Sequence, residues 1–129
     1  LFVPFAKWAM LLTGNYRCVL ANGVQPIKDA VHGDLQLSRD VYEAVADITE
    51  RLGADKADNV PFEKYANAAN GLLKPSSAAR AIDGGSDAIE RVDMLVKLIA
   101  DQMGVTIPVV DQVVETVNAR LKANSRAAA

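Results

Sequence analysis

Apolar residues in this chain recur at intervals of three and four, and glycine, asparagine or proline closes each run. That spacing places side chains on one stripe of an α-helix, whereas a half-buried strand would alternate every second residue. The clearest run is Val41, Val45, Ile48 and Leu52, with Asp40, Glu43, Asp47 and Glu50 on the other side. Ser38 is a cap-type residue ahead of it, and Gly53 is a stop behind it. The acidic side reads as the solvated face of an amphipathic helix.

The same grammar predicts a long apolar helix over residues 5–21, opened by Pro4 and closed by Asn22-Gly23. A short turn follows at 26–31, then a helix from Asn59 and Pro61 to about Leu72. Ser76 or Ser77 caps a short helix ending near Ile82. After the Gly84-Gly85 turn, Ser86 caps a helix whose stripe is Val92, Leu95, Ile99 and Met103. Pro108 opens the last helix, with Val110, Val113 or Val114, Val117 and Leu121 inward, and the tail from Ser125 frays. The valines at 105–110 leave a strand open there, although Pro108 argues against a central one. The sum is six or seven helices in an all-α, multi-helix bundle.

The length, 129 residues, suits one domain, and a hydrophobic half can build its core. Charges nearly cancel, 14 Lys and Arg against 16 Asp and Glu, so no basic footprint invites nucleic acid. The longest unbroken apolar run, residues 8–12, is far short of a membrane span. A single cysteine rules out an internal disulfide and fits a cytoplasmic setting. The chain opens on Leu inside an apolar stretch, and an upstream segment is expected.

Several chemistries lack their motifs. There is no G-x-G-x-x-G, P-loop, C-x-x-C or H-E-x-x-H, and one His with one Cys argues against a metal site. His32 reads as a surface histidine, with a proton-transfer role left open. Cys18 reads as a small buried hydrophobe.

The stretch 73–108 is more specific. It holds Pro75-Ser76-Ser77 and Arg80, then Gly84-Gly85, then Glu90-Arg91-Val92-Asp93, then Met103-Gly104 and Pro108. This order resembles the C-terminal domain of ketopantoate reductases (2-dehydropantoate 2-reductases), where a Ser-Ser pair opens a helix, Glu and Asp follow, and Gly-x-x-x-Pro closes. The first helix, with Trp8, Lys7 and Asn15, is similar to that family's helix bearing a catalytic Lys and Asn residues at four-residue spacing.

The resemblance implies an all-α fold of the 6-phosphogluconate dehydrogenase C-terminal-domain-like type. It implies residues 1–129 as the substrate and dimerisation domain of a homodimeric, NADP-dependent oxidoreductase acting on a small-molecule 2-oxo acid. The nucleotide would be bound mainly by an upstream Rossmann domain. Ketopantoate reduction in pantothenate biosynthesis is the implied reaction, and a relative with another substrate or lost activity, or a stand-alone helical interaction module, is the alternative. Lys7 and Glu90 are then the implied catalytic pair. Asn15, Asn67, Asn70, Ser76, Ser77 and Arg80 are the substrate-binding candidates.

The pattern also departs. The family lysine position, two residues after the Trp, is Met10, so Lys7 would act one turn displaced. Counting back from Pro108 puts the family Glu at Ala88, so Glu90 serves only if the preceding turn shifts register. Ser76 and Ser77 can be helix caps as well as ligands. Asn67 and Asn70, at i,i+3, suit either a polar site or a helix–helix hydrogen bond. Arg91 is open to a carboxylate role or to an ion pair on its own helix.

Overall fold

The computed structural model describes residues 3–129. Seven α-helices follow in order: α1 (Phe5–Met10), α2 (Ile27–His32), α3 (Leu35–Arg51), α4 (Phe62–Ala69), α5 (Ser77–Asp83), α6 (Val92–Gln102) and α7 (Pro108–Ala128). Among the described residues no strand forms, and the one β-bridge pairs Val19 with Val24. The valines after Gly104 make no strand because Pro108 takes the first position of α7, where its missing N–H costs nothing. None of the helices is long and apolar enough to cross a membrane among these residues.

Helix α1 lies along α3, α2 against α4, and α6 along α7. They enclose one core, with Leu12, Val31, Val45, Ile48, Ile82 and Val117 fully buried.

The first apolar segment does not run as one α-helix to residue 21. It widens into a π-helical turn at Leu11–Asn15, tightens to a 3-10 turn at Tyr16–Cys18 and ends there. A reversal follows, closed by Leu20 N–H to the Gly23 carbonyl at 3.0 Å. The π turn wraps the end of Tyr65, whose hydroxyl donates to the Met10 carbonyl at 3.2 Å. A Cβ on Gly14 would run into that hydroxyl and approach Val31 Cγ2 to 3.3 Å. Tyr65 is buried and stacked on Tyr42, so it has nowhere to retreat. Gly14→Ala is therefore expected to cost about 1–3 kcal/mol, as overpacking does. A thermal melt within about a degree of the parent would show instead that Tyr65 yields freely.

Helix α3 starts one turn earlier than its stripe suggests. Its N-cap is Asp34, which accepts the Leu37 N–H at 3.0 Å. Ser38 lies inside the helix, fully buried, donating to the Val31 carbonyl at 2.7 Å and accepting from Arg17 at 3.0 Å. Both residues are cap types, but Leu35 and Leu37 in the first turn stay exposed, so apolar periodicity begins late. Asp40, Glu43 and Asp47 are exposed, as a solvated face requires, while Leu52 falls past the helix end and is exposed.

Helix α4 ends at Ala69 rather than near Leu72, because the chain turns at Asn70 and Gly71. His32 is half-buried, and its Nε2 lies 2.8 Å from the Ala66 carbonyl, tying α2 to α4. Ser86 does not cap α6. Its hydroxyl donates to the Ala88 carbonyl, residues 86–91 form no helix, and α6 starts at Val92. The buried stripe of α6 is Val92, Val96 and Ala100, and Leu95 is exposed together with Met94 and Leu98. The C-terminal tail is helical through Ala128. Asn124 holds it by donating to the Ile82 carbonyl at 2.8 Å and the Ser86 carbonyl at 2.7 Å.

Candidate functional site

A cleft of about 480 Å³ opens between the first helical segment, the start of α5 and the residues leading into α6. Lys7, Leu11 and Asn15 form one wall, Ser77 the second, and Ile89 with Glu90 the third. The first wall follows from backbone geometry. Residues four apart share a helix face, and the π turn carries that face through to Asn15. Met10 does not line the cleft. It is half-buried against the core, and its carbonyl receives the Tyr65 hydroxyl. Lys7 is thus the cation that reaches the cleft, and Glu90 is the carboxylate, while Ala88 does not line it.

Tyr16 fixes the third wall. Its hydroxyl donates to the Glu90 carbonyl at 2.6 Å and accepts the Val92 N–H at 3.0 Å. The second bond satisfies an orphan amide of the α6 N-terminus, so Tyr16 does the capping expected of Ser86. Burial pushes the Tyr16 phenol up to about 12, with the Asp93 charge adding to the rise. The phenol therefore stays protonated and keeps its donor at neutral pH.

Arg91 continues the clamp. Its Nε and Nη2 each lie 2.9 Å from one oxygen of Asp93, a side chain with no exposure at all. Its Nη1 donates to Asn118 of α7 at 2.7 Å. Of its two expected roles, Arg91 takes the ion pair on its own helix. Asp93 is buried beneath it and the Asn118 bond ties it to α7, so the guanidinium is occupied and Arg91 is removed as a carboxylate ligand.

The serine pair divides its work. Ser76 is buried, accepts the Ala79 N–H at 3.2 Å and donates to the Asn15 carbonyl at 2.7 Å. Its hydroxyl is consumed in capping α5 and tying it to the π turn, so the expected substrate role is not available to it. Ser77 is exposed on the cleft. Arg80 lies one turn on, its Nη2 3.3 Å from Ser77 Oγ, beside an adjoining hollow rather than in the cleft.

Asn67 and Asn70 are not brought to the cleft. Helix α4 turns Phe62, Tyr65, Ala66 and Ala69 inward, which leaves Asn67 on the outer face, and Asn70 is exposed at the C-cap. Neither offers a helix–helix side-chain bond. Cys18 is fully buried and its thiol is raised by burial, which keeps it from acting as a thiolate.

The arrangement sets an ammonium, an amide, a hydroxyl and a carboxylate around apolar surface from Val3, Leu11 and Ile89. Such a cleft suits a small anion with an aliphatic body. No strand leading through a glycine turn into a helix, the arrangement that cradles a dinucleotide's pyrophosphate in a Rossmann unit, is present among the described residues. No family model, curated protein or solved structure matches the chain.

Proposed function

We propose that this bundle is the substrate-holding domain of an NADP-dependent reductase of 2-oxo acids, of the 2-dehydropantoate 2-reductase type. One observation carries the reading. Lys7, Asn15, Ser77 and Glu90, drawn from three separate segments, line one cleft. The fold type shared with 6-phosphogluconate dehydrogenase C-terminal domains, a cytoplasmic homodimer and a separate nucleotide-binding unit belong to the same proposal.

The chemistry of each group follows from its type. The Lys7 ammonium attracts the 2-oxo acid and, on this reading, stabilises the negative charge that grows on the ketone oxygen during reduction. It can then give that oxygen a proton. Asn15 and Ser77 supply neutral donors that orient the carboxylate and ketone. Glu90 accepts a hydrogen bond from a hydroxyl on the substrate body, and Tyr16 acts as a positioning residue by holding the Glu90 backbone. NADP would supply the hydride.

Calorimetric titration of the chain with ketopantoate tests the reading. Lys7→Ala is expected to weaken binding about tenfold or more, the worth of a charge-assisted contact. Equal affinity in both proteins would remove Lys7 from the site.

Leu11 favours a second reading, a relative with a different substrate. It stands on the cleft wall four residues after Lys7, where related dehydrogenases of the 6-phosphogluconate and hydroxyisobutyrate type carry the asparagine of a Lys-x-x-x-Asn signature. An apolar side chain there discards one donor and favours a longer hydrocarbon body.

A further inference from the structure

A second hollow of about 410 Å³ adjoins the cleft and shares Asn15 and Ser77 with it. These two residues therefore form the sill between them. The second hollow differs in chemistry. Lys74 and Arg80 line it, no carboxylate does, and Ile27, Leu73 and Pro75 supply apolar wall.

Its frame is held in place. The Ile27 N–H donates to the Lys74 carbonyl and the Lys28 N–H to the Leu72 carbonyl, both at 3.1 Å, fastening the loop after α4 to the first turn of α2. Lys7, Lys74 and Arg80, like most cations of this chain, enter no ion pair among the described residues. In a chain with an excess of acid, three unpaired cations beside two joined hollows concentrate positive potential at one place. Arg80 spends one donor on Ser77, so its remaining N–H groups can still grip an anion.

Resting on the function proposed above, we infer that the substrate is a two-headed anion. Its 2-oxo acid end lies beside Lys7 with its oxygens held by Asn15 and Ser77, its aliphatic body passes on over that sill, and a second anionic head, carboxylate or phosphate, meets Lys74 and Arg80.

The test is calorimetric titration of the chain at low salt with 2-oxohexanoate, 2-oxoadipate and a phosphonate-ended 2-oxo acid of similar length. The two-headed compounds are expected to bind about tenfold tighter than 2-oxohexanoate, since each gains a charge-assisted contact. Whichever two-headed compound binds more tightly identifies the head. The double variant Lys74→Ala, Arg80→Ala should lose that advantage while keeping its affinity for 2-oxohexanoate. Both side chains are exposed, so the fold should survive, and Lys56→Ala, Lys64→Ala controls for the charge removed. Equal affinity of the parent for one-headed and two-headed acids would overturn the inference and leave the first cleft standing. If 2-oxohexanoate and both two-headed acids fail to bind, the reading of the first cleft fails. Inorganic phosphate then decides the second hollow: binding lost in the double variant supports an anion site, and no binding overturns it.

Discussion

Arg91→Ala is expected to lower stability by about 3–5 kcal/mol, the cost of leaving a buried charge without its partner. Asp93 has no exposed surface, and both of its oxygens are bonded by Arg91. Removing the guanidinium strands that carboxylate and also releases Asn118, loosening α6 from α7. The fair comparison is Arg39→Ala, which breaks an exposed, solvent-screened pair with Glu63 and should cost far less. A denaturant titration of the two variants reads the difference directly. Replacing Arg91 and Asp93 together by Met and Leu should recover most of the loss, because the buried pair is far costlier to halve than to delete. Equal losses for Arg91→Ala and Arg39→Ala would mean that water reaches Asp93. The effect also reaches the site, since Arg91 follows Glu90 directly.

Raising the pH should unfold the protein cooperatively between about pH 10 and 12. All three tyrosines, Tyr16, Tyr42 and Tyr65, are buried. Burial raises the first two to about 12, and it raises Tyr65 as well. The folded state therefore holds these phenol protons more tightly than the unfolded chain, where they leave near 10. Their stabilising share is complete below pH 10 and is lost as pH climbs towards the folded values. Tyr16 and Tyr42 should each give up about 2 kcal/mol by pH 12. Ionised Tyr16 would also lose the proton it donates to the Glu90 carbonyl. Tyrosinate absorbance and helical circular dichroism should then change together. Phenols titrating near pH 10 with the helices intact would contradict this account.

What the sequence made legible was periodicity and punctuation. The α3 stripe as far as Ile48, a serine cap at 76 or 77 and Pro108 at the head of α7 were readable, because each depends on neighbours within one turn. The failures were tertiary in kind. Asp34 and Ser38 present the same cap chemistry, and only tertiary burial of Ser38 decides between them. Ser86 lost the start of α6 to a hydroxyl far away in sequence, that of Tyr16. The π turn had no local signal, and the hydroxyl packed against Gly14 within it belongs to Tyr65 of α4.

The site shows the same division. Lys7, Asn15, Ser77 and Glu90 could be named from spacing and resemblance, and they share one cleft. Asn67 and Asn70 obeyed the i,i+3 rule, yet the inward face of α4 belongs to Phe62, Tyr65, Ala66 and Ala69. A polar pair on one face does not say which way that face turns. Tyr16 was readable only as an apolar position, because its polar tip has partners outside its own helix.

Amide-resolved NMR of the chain, titrated with ketopantoate, bears most directly on the cleft. Shifts gathered at Lys7, Asn15, Ser77 and Glu90, with Asn67 and Asn70 unmoved, are the predicted outcome. Shifts centred on the outer face of α4, or none at saturating ligand, would contradict it.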